Sequence, residues 1–189
     1  MTDREFIDFL YKAEKMKCNT RHSWTSSGRK ESVAEHSWRL SLMALLLEDE
    51  FLGADFNKII RMCILHDLGE AITGDIPSFL KTKADSQVEE KAVTGLLNTL
   101  PSPQKEKFME LFREMEELST QEAKIYKALD KLEAVIQHNE ADISSWLPLE
   151  YELQTTYGEK EAEFHPRLKA LRDTAREDTI EKIKREGTQ

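Results

Sequence analysis

The sequence predicts an all-α fold. Apolar residues recur three and four positions apart over most of the 189 residues, which is the spacing of the buried face of an amphipathic helix. No run of β-branched residues alternates with polar ones over enough positions to indicate a strand. Capping boxes of the form S-x-x-E, such as Ser32 with Glu35, mark several helix starts.

The first half of the chain divides into three predicted helices and one irregular segment. A helix over about 3–17 places five apolar residues on one face: Phe6, Phe9, Leu10, Ala13 and Met16. The polar stretch "CNTRHSWTSSGRKE" then predicts an irregular segment. Ser32 starts a helix over about 33–52, and Asp55 caps a further helix that should end near Gly69.

The second half predicts further helices, the last of them highly charged. The expected helix starts are Ser86, Ser119, Ser145 and Pro166, with Gly158 as a stop. The helix that follows Pro166 runs to about 186 and is too polar for a core helix, so we expect it to cover a subunit contact or to lie in solvent. We expect one domain over 1–189, with a core over about 5–170 and a helical extension over about 166–187.

Composition and charge exclude several classes of function. A net charge of −9 disfavours binding to a nucleic-acid backbone, because the two would repel each other. No run of 18 apolar residues occurs and the first residues are charged, so we expect neither a membrane span nor a signal peptide, and hence a cytoplasmic protein. Cys18 and Cys63 match neither a zinc ribbon nor a disulfide scaffold.

Four ionisable residues follow the apolar end of a core helix in "CILHDLGEAITGDIP". His66, Asp67, Glu70 and Asp75 are expensive to bury unless a partner compensates them. The segment therefore either binds a metal ion or a substrate, or faces solvent.

A metal ion held by His66 and Asp67 needs ligands from elsewhere in the chain. His36 and Asp130 are the attractive candidates, because each lies on an otherwise apolar helix at an inward or boundary position. Each also has an ordinary structural explanation. His36 fits a hydrogen-bonded histidine of a first helical turn, and Asp130 fits a surface salt bridge with Lys127 or Lys131, so spacing alone leaves both possibilities open.

Three motifs in order resemble one enzyme family. "VAEHSWRL", "LHDLGEAITGDIP" and "ALDKLEAVI" are similar to the H…HD…D pattern of the HD-domain metal-dependent phosphohydrolases, in particular the bacterial 5'-deoxynucleotidases and related HD-domain-containing proteins. The resemblance implies a compact helical bundle with a central metal ion. It implies the ligands His36, His66, Asp67 and Asp130.

The same resemblance implies how many metal ions are bound. Relatives with two ions use extra histidines between the HD pair and the last aspartate, and this chain has no histidine between Asp67 and Asp130. We therefore expect one divalent ion. Mn, Co, Fe, Zn and Mg all suit a set of imidazole and carboxylate ligands.

The resemblance also implies the residues that act on the substrate. Glu70 and Asp75 match catalytic and substrate-facing acids of the relatives. Arg21 offers a fork of donors to phosphate oxygens, and Trp24 offers a flat face to a base or sugar. In the bacterial deoxynucleotidases the tryptophan directly follows the arginine, whereas "RHSW" separates the two here.

The sequence therefore predicts a hydrolase acting on a small molecule. We expect a metal-dependent phosphomonoesterase that converts nucleoside 5'-monophosphates, with a preference for deoxyribose, to nucleoside and phosphate, and the resemblance implies a homodimer. One alternative is an HD-type hydrolase of another phosphate ester, namely a cyclic nucleotide, a nucleoside triphosphate or an alarmone. The other is a nucleotide-binding module without turnover.

Overall fold

Helices dominate the computed structural model, which describes residues 1–187. The helices are α1 Asp3–Ala13, α2 Lys15–Cys18, α3 Val33–Leu46, α4 Phe56–Leu65, α5 Glu70–Thr73, α6 Lys83–Leu97, α7 Gln104–Glu117, α8 Gln121–Glu140, α9 Glu150–Thr156, α10 Glu159–Ala162 and α11 Pro166–Glu186. The strands are β1 Thr20–Trp24 and β2 Lys30–Ser32. The predicted all-α class is confirmed.

Three helices form the centre of the molecule. Helices α3, α4 and α8 pack against one another in pairs. They bury Leu40, Ile59 and Leu129 completely in one apolar cluster. Helices α7 and α11 cover this cluster, and a second cluster lies between α2, α5 and α6. Leu65 and Phe112 pack against both clusters, so the two cores are continuous.

The segment predicted to be irregular is a short antiparallel hairpin. Thr20 pairs with Ser32 and Trp24 with Lys30, and Gly28, at φ 80°, supplies the positive φ of the turn. Strands of five and three residues are too short to show the alternation on which a strand prediction depends. The hairpin holds this polar loop against α8.

The predicted first helix breaks at Glu14, and its apolar face is less buried than expected. None of the residues of α1 is fully buried, and Phe6 is 49% exposed. Met16, in α2, is the member of the predicted face that enters the core. Amphipathic spacing identified the helix but not the depth to which it is buried.

Several helix boundaries differ from the predicted ones. Helix α3 ends at Leu46 and not near residue 52, and α9 starts at Glu150 and not at Ser145. Helix α6 starts after Thr82, whose hydroxyl accepts from the Asp85 amide at 3.3 Å, and not at Ser86. Helix α8 starts after Thr120, one residue beyond Ser119. The regular part of α4 ends at Leu65, so His66 and Asp67 lie in the turn that follows it. At the starts of α6 and α8 the sequence offers more than one hydroxyl residue as the N-cap, so the pattern alone does not identify the one that is used.

The charged C-terminal helix is part of the fold, so the prediction that it simply lies in solvent was wrong. The alternative, that it covers a subunit contact, stays a prediction. Helix α11 packs on α8 and α9. Its Arg172 is buried and donates to the backbone carbonyls of Tyr157 at 2.6 Å and Gln154 at 3.0 Å. Thr179 is buried and donates to Asn139 at 2.8 Å. Polar residues can be buried when each has a partner.

The extent of the domain stays a prediction, and residues 188–189 of the predicted range lie outside the described residues. Over residues 1–187, every helix is too short or too polar to cross a lipid bilayer.

Candidate metal and active site

Each of the three central helices contributes to one cluster of polar side chains. His36 lies in the first turn of α3, where the Ser32 hydroxyl accepts from the Glu35 amide and fixes the start of the helix. His66 and Asp67 leave the end of α4, and Asp130 lies in the middle of α8. The apolar contacts between these helices bring the four side chains together.

Side-chain nitrogen and oxygen atoms of His36, His66 and Asp67 lie within 4.8 Å of one another, and Asp130 Oδ1 lies close to both imidazoles. His36 Nε2 is 3.2 Å from His66 Nε2 and 3.1 Å from Asp130 Oδ1. Asp67 Oδ2 is 3.0 Å from His66 Nε2 and 3.9 Å from His36 Nε2. Atoms that bind one ion at about 2.0 to 2.2 Å are themselves about 3 to 3.6 Å apart.

The hydrogen bonds of the two imidazoles leave a lone pair on each facing nitrogen. His66 Nδ1 lies 2.9 Å from the Cys63 carbonyl, which can only accept, so Nδ1 carries the proton. His36 Nδ1 contacts the Glu133 carboxylate, which likewise accepts. With Nδ1 as the donor in each ring, a deprotonated Nε2 presents its lone pair to the other imidazole and to carboxylate oxygens, as in a metal ligand.

This cluster requires a positive charge at its centre. Burial and Arg21 lower the pKa of His36, but Glu133 and Asp130 raise it to about 9, which shows that the surroundings favour a cation. A divalent ion satisfies all four donors at once, and its charge balances the carboxylates of Asp67 and Asp130. The residues present therefore fit a divalent metal ion.

Asp130 makes the salt bridge that its sequence suggested with one oxygen and turns the other oxygen to the cluster. Its Oδ2 accepts from Lys127 Nζ at 2.8 Å in a salt bridge one helical turn apart. Its Oδ1 faces His36 and is free to bind an ion. Lys131 turns away and pairs with Glu161 at 2.7 Å.

Glu70 is a buried carboxyl group beside the cluster. It is 5% exposed, and its Oε2 atom has no hydrogen-bond partner among the described residues. Carboxylate oxygens of Asp67, Glu70 and Glu89 lie within 4.8 Å of one another. Burial, together with Asp67, Asp75 and Glu89, raises the pKa of Glu70 to about 10. Without a bound cation Glu70 holds a proton at neutral pH.

Asp75 follows a glycine at which the backbone turns sharply after α5. Gly74 adopts φ 74°, a conformation that residues with a Cβ rarely adopt. Burial raises the pKa of the half-buried Asp75, while the positive charge of Arg21 opposes this shift. Asp75 therefore lies within the electrostatic field of the predicted phosphate-binding arginine.

Two buried carboxylates hold Arg21 in place. Arg21 Nη1 is 3.2 Å from Glu31 Oε2 and 3.3 Å from Glu133 Oε2. Burial and the neighbouring charge of Glu133 raise the pKa of Glu31 to about 7, although Arg21 lowers it. The Glu133 carboxylate also contacts His36 Nδ1, so it links the Arg21 guanidinium to the first turn of α3.

Trp24 makes no side-chain hydrogen bond to the cluster or to Arg21 among the described residues. It is half-buried at the end of β1, and its backbone carbonyl accepts from Gln137 Nε2 at 2.6 Å. It lines neither the cavity beside His66 nor the one beside Arg21. Its role in substrate binding stays a prediction.

A cavity of about 610 Å³ opens beside His66. Lys81, Tyr126 and Lys127 border it, and apolar residues such as Leu97 and Phe112 line it. A volume of this size, with an apolar lining and a few polar groups, is typical of small-molecule sites.

The comparisons with known proteins now identify the family. Residues 13–172 match the family model described as HD domain. The chain belongs to the HD-domain family. The resemblance inferred from the three motifs is therefore confirmed.

Relatives of this HD-domain chain carry names that describe nucleotide chemistry. It is 32% identical over 178 residues to the 5'-deoxynucleotidase HDDC2 of Dictyostelium discoideum, covering 88% of this chain and 94% of the relative. The human 5'-deoxynucleotidase HDDC2 is 30% identical over 173 residues, covering 89% and 83%. The crystal structure of a predicted metal-dependent phosphohydrolase from Magnetospirillum magnetotacticum MS-1 superimposes with a TM-score of 0.80 at 27% identity, covering 96% and 93%.

Sequence reasoning missed the residues that surround the predicted metal ligands. Glu133 contacts His36 and Arg21, and Arg39 contacts Glu133. The spacing offered a signal, because Glu133 lies three residues after Asp130 and Arg39 three residues after His36, so each shares a helical face with a predicted ligand. Glu31 gives no such signal, since only the hairpin brings it to Arg21.

Proposed function

We propose that this protein is a metal-dependent phosphomonoesterase that hydrolyses nucleoside 5'-monophosphates, preferring deoxyribose, to nucleoside and inorganic phosphate. One observation carries the proposal: two imidazoles and two carboxylates converge beside a buried glutamate and an arginine that two carboxylates hold in place. The names of the relatives support nucleotides as substrates and the deoxyribose preference.

His36, His66, Asp67 and Asp130 would hold the ion. When bound, a divalent ion supplies Lewis-acid chemistry, polarising a phosphate oxygen and lowering the pKa of water. Manganese, cobalt, iron, zinc and magnesium all suit these ligands, because the set mixes borderline imidazoles with hard carboxylates. We use Mn²⁺ as the probe in the experiments below.

Arg21 orients the phosphate group in this proposal. Within the described chain, both of its ion pairs use Nη1, which leaves Nη2 and Nε for phosphate oxygens. Its charge is permanent, and its planar fork matches a phosphate group. Lys127 and Lys81, at the border of the cavity, add positive charge on the other side of His66.

Glu70 or Asp75 supplies the proton that the reaction needs. Cleavage of the phosphorus to O5' bond leaves a nucleoside alkoxide, which must gain a proton to depart. Glu70 is buried beside the cluster, and this burial favours its protonated form, the form in which it can donate a proton. Asp75, which experiences the positive charge of Arg21, is the alternative proton donor in this proposal.

A panel of substrates tests the proposal. We expect phosphate release from dAMP, dGMP, dCMP and dUMP with Mn²⁺, slower release from the ribonucleotides, and loss of activity after chelation. Activity confined to cyclic nucleotides, nucleoside triphosphates or an alarmone would favour another HD-type hydrolase. Nucleotide binding without turnover by any of these would indicate a binding module.

The proposal includes a homodimer in the cytoplasm. Exposed apolar side chains on α1 and α3 support a contact between subunits, since Leu10 is 48% exposed, Trp38 66% and Leu45 51%. Light scattering coupled to gel filtration distinguishes a monomer from a dimer. A monomer at micromolar concentration would remove this part of the proposal.

A further inference from the structure

One buried carboxylate connects the metal cluster to the predicted phosphate-binding arginine. Glu133 is completely buried on α8. Its Oε2 atom accepts from His36 Nδ1 and lies 3.3 Å from Arg21 Nη1. Its Oε1 atom accepts from Arg39 Nε at 2.6 Å. Both oxygens are therefore occupied, and two of the three partners belong to the candidate active site.

Arg39 fixes the orientation of this carboxylate. Besides Glu133, its guanidinium donates to Gln137 Oε1 at 2.7 Å and to Glu140 Oε2 at 2.5 Å. Residues 133, 137 and 140 lie four and three positions apart, so they form one stripe along α8. Arg39 lies one turn after His36 on α3, so both residues reach Glu133 from the same helix.

We propose that Glu133 is a positioning residue. It holds the predicted ligand His36 and the predicted phosphate-binding Arg21 in fixed positions relative to each other, and Arg39 in turn fixes the orientation of Glu133. The part that concerns Arg21 rests on the proposed function, whereas the part that concerns His36 requires only that the cluster binds a metal ion. Partners of metal-binding imidazoles fix the tautomer and the ring orientation, and their loss weakens metal binding.

The three donors around Glu133 require a carboxylate, because a neutral side chain does not offer two accepting oxygens. His36 Nδ1, Arg21 and Arg39 all donate, so position 133 must accept through both of its oxygens. A glutamine has one accepting oxygen and one donating nitrogen. In Glu133→Gln, either His36 and Arg21 or Arg39 must therefore face an amide N–H.

Calorimetry with Mn²⁺ alone tests the proposal on the full chain. We expect Glu133→Gln to weaken Mn²⁺ affinity by about 10- to 100-fold relative to wild type. At saturating Mn²⁺, we expect the dissociation constant of inorganic phosphate, measured by the same calorimetry, to rise as well, because Arg21 loses one of its two anchors. Mn²⁺ affinity in Glu133→Gln within about twofold of wild type would overturn the proposal.

Glu140→Gln is the matched control. It makes the same change on the same helix and removes a contact with the same arginine, but Glu140 is half exposed and contacts neither His36 nor Arg21. We expect its Mn²⁺ affinity and its affinity for inorganic phosphate to equal those of wild type. An equal loss in both variants would overturn the proposal, since it would show a general effect of disturbing Arg39.

Arg39→Met provides a second test if Glu133→Gln does not fold. It leaves both groups of the pair between Glu133 and His36 in place but removes the partner that fixes Glu133 Oε1. We expect a severalfold loss of Mn²⁺ affinity, and an unchanged affinity would overturn the role of Arg39. These measurements need no turnover, so they separate this proposal from the proposed activity: a wild type that binds Mn²⁺ but cleaves no nucleotide would refute only the activity.

Discussion

Glu70 is the residue whose protonation most directly affects the proposed chemistry. Replacement by glutamine keeps its size but removes the transferable proton. We expect Glu70→Gln to lower kcat by about 10²- to 10⁴-fold, the usual contribution of a general acid, with KM changed only severalfold. Steady-state kinetics on dAMP measures this. A kcat equal to that of wild type would assign proton transfer to Asp75 instead.

Burial of Glu70 also predicts a pH-dependent effect on the stability of the metal-free protein. The folded-state pKa of about 10 lies above the ordinary value of 4.5, so the stability contributed by Glu70 is fully present below pH 4.5 and is lost as the pH rises towards 10. In the presence of chelator, we expect Glu70→Gln to be more stable than wild type at pH 8 by roughly 2 kcal/mol or more, and nearly equal to it at pH 5.

Chemical denaturation at the two pH values measures that difference. The exposed Glu90→Gln, on α6, is the control, and we expect it to show no dependence on pH. A stability difference for Glu70→Gln that is the same at both pH values would contradict the buried, protonated state.

At the residue scale, the sequence predicted which residues form the cluster better than it predicted the contacts that each of them makes. The motifs placed His36, His66, Asp67 and Asp130 in one cluster, because their order and spacing resemble a known family. Spacing could not show that Asp130 uses one oxygen for Lys127 and the other for the cluster. That division depends on the orientation of a side chain between two helices.

At the scale of elements, the capping box of α3 is coupled to the metal site. The Ser32 hydroxyl accepts from the Glu35 amide at 3.2 Å, and His36 is the next residue. We expect Ser32→Ala to lower the free energy of unfolding by about 1 kcal/mol. Because fraying of this turn moves His36, we also expect a severalfold loss of Mn²⁺ affinity in calorimetry.

The capping box of α1 provides the matched control. The Thr2 hydroxyl accepts from the Glu5 amide at the same distance of 3.2 Å, but α1 carries no predicted ligand. We expect Thr2→Ala to leave Mn²⁺ affinity unchanged. If both alanine variants, or neither, weakened Mn²⁺ binding, the coupling between the α3 cap and His36 would be refuted.

Elements were predictable where local signals were strong. The Ser32 and Asp55 caps and Pro166 gave correct helix starts, because each acts on backbone groups within one turn. The hairpin and the buried polar face of α11 were missed. Both depend on partners distant in sequence, such as α8, which no local pattern reports.

At the scale of the whole molecule, the metal ion would join three helices at one point, so its removal should destabilise the entire fold. An ion present at 100 times its dissociation constant stabilises the folded state by about 2.7 kcal/mol. We expect the Tm to rise by roughly 5 to 11 °C from chelated to Mn²⁺-saturated protein. Scanning calorimetry measures this, and identical Tm values in both conditions would show that the helices meet without needing a cation.

The most direct test is the binding of Mn²⁺ to wild type, His66→Ala and His165→Ala, measured by calorimetry and elemental analysis. His165 caps α11 and packs on Phe51, so its replacement controls for the loss of an imidazole outside the cluster. The four convergent ligands predict one ion per chain in wild type and in His165→Ala, and no retained ion in His66→Ala. A wild type that retains no divalent ion, or a His66→Ala variant that binds Mn²⁺ as tightly as wild type, would contradict the metal site.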